Sequence, residues 1–199
     1  MPLPPEPVSG PREACGEALG GKEKKHLLEL AHAALELGVR EGRRFHPHPE
    51  TNPLLEQPRA VFVSLHKAGQ LRGCMGQTAA RRPLHQAVAD TAYSAALEDP
   101  RFEPVRPEEL SEVTVEISVL SSFQAIRPED IRVGKHGLLV ASDRARGLLL
   151  PQVAAQYHWD ALRFLEETCR KAGLEPEAWK HGAAIQAFTA EVFGDDVPP

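Results

Sequence analysis

The chain has 199 residues, with 23 Lys+Arg against 28 Asp+Glu for a net charge of −5 at pH 7, and 42% of its residues are hydrophobic. A chain of that size buries roughly 70% of the surface it exposes when unfolded, so one compact domain, or one domain with a small appendage, is expected and disulfide staples are not required. The mild acidity (pI about 6.0) argues against non-specific binding to nucleic acid or to an anionic membrane.

The longest stretch free of Asp, Glu, Lys and Arg runs from Gly147 to Trp159, well short of the ~20 apolar residues of a membrane span. Three cysteines, Cys15, Cys74 and Cys169, lie far apart with no C-x-x-C pair. That pattern gives neither a disulfide framework nor a zinc knuckle and suits a reduced, cytoplasmic protein. The first eleven residues hold five prolines and no apolar run, so residues 1–21 read as a disordered, proline-rich leader rather than a signal peptide.

From residue 22 the spacing of Leu27, Leu30, Ala31, Ala34 and Leu35 predicts an amphipathic helix that stops at Gly38. A loop punctuated by Pro47, Pro49, Pro53 and Pro58 follows. AVFVSLH, KAGQ and LRGCMGQ then read as a strand, a turn and a partner strand. Pro83 opens a second helix with its apolar stripe on Leu84, Val88, Thr91, Ala92 and Ala95, ending before Pro100.

VTVEISV alternates, with Val113, Val115, Ile117 and Val119 on one face and Thr114, Glu116 and Ser118 on the other, as a half-buried strand does. GLLVAS and GLLLP predict a second hairpin, with Pro151 as a strand terminator. Asp160 caps a third helix that ends at Gly173, and one final strand is expected over AAIQAFTAEVF. Helices and strands do not alternate one to one, so the expected class is α+β with a mostly antiparallel sheet. The domain is placed at residues 22–195, with a flexible tail at 196–199.

The segment with the most chemistry is Leu71-Arg72-Gly73-Cys74-Met75-Gly76. Glycine inside a strand marks a bulge or a close approach by a backbone or a ligand. Arg72, two residues from Cys74, is on the same face of a regular strand, where a guanidinium favours thiolate over thiol. Register decides whether this matters. With a two- or four-residue loop Cys74 pairs with Val63 beside Leu65, in the core. With a three-residue loop, or a one-residue bulge at the glycine, Cys74 faces Ser64 and Arg72 faces His66, and a one-residue slip exchanges the two faces.

In EDPRFEP, Asp99 and Arg101 either lock the loop onto the fold or offer a guanidinium to an anionic ligand. The nine histidines are scattered, with no H-x-x-x-H pair beside a carboxylate, so no metal site is expected. P-loop, Rossmann and G-x-S-x-G signatures are absent.

The blocks FVSLHKAGQLRGCMGQ, PLHQAVADTAYSAALEDPRFEPV, EISVL, GKHGLLV, GLLLPQVA and FLEETCRKAGL with Trp179 resemble, in order and spacing, the AMMECR family. Its prokaryotic members are known as AmmeMemoRadiSam system protein A. The resemblance implies an antiparallel sheet with packed helices and a smaller subdomain flanking a cleft. It carries over Leu71, Arg72, Gly73, Cys74 and Gly76 from the hexapeptide, in which Met75 stands where Ile is usual, and Asp99, Pro100, Arg101 and Phe102 from the DPRF block.

It further implies a place beside a Memo-type protein and a radical-SAM enzyme, and it names no cofactor. Two functions are therefore expected to compete. One is a ligand-binding or accessory component, with Leu71, Arg72, Gly73, Gly76, Ser64, His66, Asp99 and Arg101 around a small anionic ligand or nucleotide. The other is a thiol-dependent enzyme with Cys74 as nucleophile or redox group and Arg72 stabilising it. Nucleic acid and membrane are not expected as partners.

Overall fold

A computed structural model describes residues 18–143 and 145–197. Most of the expected leader lies outside them, as do Pro198 and Pro199. The elements are α1 (Gly21–Glu41), α2 (Pro53–Glu56), β1 (Val61–Lys67), β2 (Gln70–Gln77), α3 (Leu84–Leu97), β3 (Val113–Leu120), β4 (Gln124–Ala125), β5 (Gly137–Ala141), β6 (Arg146–Leu149), α4 (Pro151–Gln156), α5 (Ala161–Lys171), β7 (Ala184–Phe188) and β8 (Ala190–Gly194). Two four-stranded sheets form, in the orders β2-β1-β3-β8 and β4-β7-β5-β6. Every pairing is antiparallel. The chain is α+β. No helix among the described residues is long and apolar enough to cross a membrane.

Helices α1 and α3 pack on one face of the first sheet. Leu27, Ala31 and Leu35 of α1 and Leu84, Val88 and Ala92 of α3 close over Val61, Val63, Leu65, Val115 and Ile117. The second sheet has its own core, in which Leu138 and Val140 meet Phe164, Leu165 and Cys169 of α5. A third cluster joins the two, where Ala60, Leu120 and Phe188 gather Phe62, Phe123, Leu148 and Leu150. Phe123 and Phe188 meet edge to face with ring centroids 5.2 Å apart.

Several boundaries differ from the sequence expectation. Helix α1 continues through Gly38, which is buried where a Cβ would lie 2.8 Å from the Tyr93 ring, and stops at Gly42 with φ +67°. The proline loop contains α2, capped by Asn52 accepting the Leu54 N–H, with Pro53 at its first turn. Pro151 likewise starts α4 rather than merely ending a strand.

The expected last strand is two strands in two sheets, divided at Thr189. There Ser121 N–H donates to Thr189 O and Thr189 N–H donates to Ser121 Oγ, both at 2.9 Å. Those two bonds tie the chain where it crosses from one sheet to the other.

Candidate functional site

The β1–β2 turn is a two-residue loop, Ala68 and Gly69, with φ of +51° and +74°. Positive φ at both positions matches the right-handed twist of the flanking strands. The ladder starts with Lys67 opposite Gln70 and His66 opposite Leu71, then skips a residue, so that Leu65 pairs with Gly73 and Ser64 with Cys74. Arg72 is the extra residue of a β-bulge. The bulge reconciles a two-residue loop with a cysteine opposite Ser64. It also puts Leu71, not Arg72, across from His66.

Each hexapeptide residue then has its own surroundings. Gly73 faces the core, where a Cβ would lie 2.2 Å from the Ala95 carbonyl oxygen of α3. Gly76 lies on the opposite face beneath Phe62, whose ring would be 2.1 Å from a Cβ. Both glycines therefore admit another part of the protein. Met75 packs against the main core. Leu71 is 43% exposed.

β2 is an edge strand, and side chains take the place of its missing neighbour. Cys74 N–H donates to Asp99 Oδ2 at 2.8 Å, and Arg101 Nη2 donates to Cys74 O at 2.9 Å. Arg101 also grips Asp99 through Nε and Nη2, at 2.9 and 2.7 Å, and its own N–H donates to Oδ1. Asp99 is buried to 2% side-chain exposure, while Arg101 keeps 53%. Arg101's hydrogen bonds, seconded by the Cys74 and Arg101 N–H groups, hold the Asp99 carboxyl far below the usual range against the opposing pull of burial. Arg101 is raised in turn, first by Asp99 and more weakly by the Cys74 side chain.

Arg72 is bound just as fully. Nε and Nη2 donate to Glu109 Oε1 and Oε2 at 3.1 and 2.9 Å, and the guanidinium also donates to the Glu103 and Pro104 carbonyls. Arg72 first, then the Arg106 N–H and Lys67, draws Glu109 down to about 2. The expected pairing of Arg72 with the Cys74 thiol thus gives way to a bidentate bond with Glu109, which fastens the loop after α3 to the sheet.

Cys74 itself is half-buried on the face away from the helices. Since its N–H and C=O point off the sheet edge, Ser64 and Cys74 form a non-hydrogen-bonded pair whose side chains approach closely, and Ser64 Oγ donates to Cys74 Sγ at 3.4 Å. The register continues the row to Glu116 of β3 and Gly194 of β8. His66 and Thr114 form the next row, and Phe62 and Ser118 the one on the other side.

This outer face thus carries Leu71, Cys74, Gly76, Phe62, Ser64, His66, Thr114, Glu116, Ser118 and Val192, with no lysine or arginine among them. Glu116 and His66 are half-buried, and neither makes a hydrogen bond or ion pair among the described residues.

The structure therefore brings Ser64, His66 and Cys74 to one face and places Asp99 and Arg101 at its edge. It sends Arg72 to a separate anchor. Sequence reasoning did not select Glu116 or Thr114 for the site, although the alternation of VTVEISV had set them on the polar face. Glu109, the partner of Arg72, lies 37 residues away, and no local pattern pointed to it. A cavity of about 600 Å³ lies at the other end of the hairpin, lined by Gln57, Thr78, Leu120, Ser122 and Phe123 among others; none of the sequence-selected residues lines it.

A protein of Thermococcus gammatolerans is 44% identical over 184 residues, covering 86% of this chain and 90% of its own. Protein Mbar_A1807 of Methanosarcina barkeri is 40% identical over 185 residues, covering 88% and 92%. The crystal structure of the uncharacterised protein PH0010 from Pyrococcus horikoshii is similar with a TM-score of 0.82 and 38% identity, covering 88% of this chain and 92% of that one. The AMMECR1 family model matches residues 28–193, and the chain belongs to the AMMECR1 family.

Proposed function

We propose that the protein is a cytoplasmic ligand-binding or accessory component, and that the outer face of the first sheet around Cys74 is one wall of its binding cleft. The observation that carries this reading is the pair Glu116 and His66, two half-buried titratable side chains left without partners among the described residues, on the same face as the thiol. Neither has a polar atom sealed from water, so their hydrogen-bonding capacity stays open to a ligand. The structural duty of the neighbouring Arg72 and Asp99–Arg101 groups supports the division. They build the wall, and the face they hold does the binding. The family's association with a Memo-type protein and a radical-SAM enzyme supports an accessory place in one pathway. The free thiols of Cys74 and Cys169 fit a reducing compartment.

A thermal-shift screen of small metabolites tests the face directly, using Ser64→Trp as a plug and Ala155→Trp as a control of equal bulk elsewhere. Ligand-induced shifts are expected to vanish in the first variant and persist in the second. Shifts indifferent to the Ser64 plug would overturn the reading. Co-elution of the purified protein with the Memo-type and radical-SAM proteins tests the pathway, and independent elution at micromolar concentration would remove that part.

A second reading, Cys74 as a nucleophile or redox thiol, draws on one observation. The sulfur accepts from the Ser64 hydroxyl, and the Arg101 guanidinium is bonded to the carbonyl of the same residue, so a hydroxyl and a cation lie close to the thiol. In this reading Arg101 takes the part first expected of Arg72. Loss of activity in Cys74→Ser, once a reaction is found, would separate the two readings.

A further inference from the structure

The charges of the hexapeptide region do not add up to an anion site. Arg72 is neutralised by Glu109 through two hydrogen bonds, and Arg101 by the buried carboxylate of Asp99. On the outer face itself the register places one carboxylate, Glu116, beside Ser64, with the Cys74 thiol one strand further on. Its carboxylate is half-buried and unpaired among the described residues. Of its neighbours two residues away on the same strand face, Thr114 is half-buried and adds a hydroxyl without charge, while Ser118 is buried. A half-buried carboxylate in that setting is complementary to a cation with hydrogen-bond donors.

We propose that this face takes a ligand bearing an ammonium or other cationic nitrogen, held by Glu116, with the adjoining part of the ligand lying over Ser64 and the Cys74 thiol. The inference rests on the reading of the face as a binding surface, and it names the ligand's chemistry. The titratable and charged groups around it are His66 on the neighbouring strand and the Asp99–Arg101 pair at the sheet edge. That pair sums to zero charge. Adjacent strands lie about 4.8 Å apart, so Glu116 stands two strands, roughly 10 Å, from Cys74.

Cys74 can report that charge. Methanethiosulfonate reagents form a mixed disulfide with the sulfur and release methanesulfinate, while the thiol proton goes to solvent. The trimethylammonium-ethyl reagent is cationic and the sulfonatoethyl reagent anionic. Their relative rates at Cys74, measured by peptide mass spectrometry and normalised to N-acetylcysteine, read the local potential. At low salt the cationic reagent is expected to react faster, and Glu116→Gln to cut the cation-to-anion ratio roughly threefold, as one unit charge at that distance in a wet setting would. Glu116→Asp keeps the charge and is expected to retain most of the ratio.

Equal normalised rates in the wild type, or a ratio unmoved by Glu116→Gln, would overturn the cationic-ligand proposal while leaving the open face intact. Failure of both reagents to modify Cys74 in the folded protein would instead overturn the binding-face reading beneath it.

Discussion

The rim of β2 and the outer face of the first sheet adjoin each other and treat charge in opposite ways. At the rim the arginine of the hexapeptide and the buried carboxylate are both partnered. Arg72 is held by Glu109, and Asp99 by Arg101 and two backbone N–H groups. On the face, Glu116 and His66 have no partner among the described residues. The rim closes an edge strand that would otherwise present unpaired N–H and C=O groups, whereas the face meets no such need. The residues that stand out in the sequence are thus largely those that hold the sheet edge in shape. Glu116, which ordinary alternation hides, stands on the face without a partner among the described residues.

The largest effects are expected at the rim. Asp99→Ala removes a buried acceptor of four hydrogen bonds and leaves the Cys74 N–H unmatched. A loss of about 3 kcal/mol is expected in urea unfolding, at the low end for a broken buried pair because Arg101 stays hydrated. Gly73→Ala is expected to cost about 2–3 kcal/mol by the same measure, since the methyl meets a helix carbonyl that cannot turn aside. Unchanged stability in either variant would dissolve the distinction between rim and face.

The Arg72–Glu109 anchor sharpens the comparison through pH. Glu109's carboxyl lies at about 2, below its ordinary 4.5, so the unfolded chain binds the proton more readily. The anchor's stabilisation is therefore present above about pH 4.5 and is lost as pH falls toward 2. Glu109→Gln is expected to be less stable at pH 7 and to flatten the acid limb of the stability curve in that window. An acid limb identical to the wild type's would contradict the assignment. Smallest of all, Glu116→Gln and His66→Gln are expected to change stability by less than about 0.5 kcal/mol. A loss of 2 kcal/mol in either would make the face structural.

Much of the fold was legible because its signals are local. The alternation in VTVEISV, the stripe on α3 and the Asp160 cap each correspond to an observed element. The hairpin register was not, because loop length and bulge combine. A two-residue Ala68–Gly69 turn alone would have buried Cys74 beside Val63. The extra residue at Arg72 restores the pairing with Ser64, and its guanidinium is bound by Glu109, far along the chain. The division at Thr189 was hidden for a similar reason, since the bonds that tie it come from Ser121, 68 residues away. Gly38 misled because a glycine in a helix can serve close packing as well as termination.

If the outer face is open at Cys74 while the residues beside it are architecture, its thiol reacts in the folded protein. Iodoacetamide labelling of the native protein, resolved by peptide mass spectrometry, compares Cys74 with Cys169, which is fully buried and whose thiol burial pushes up. Rapid modification of Cys74 with Cys169 protected until denaturation is the predicted result. Equal protection of both thiols in the folded state would contradict it.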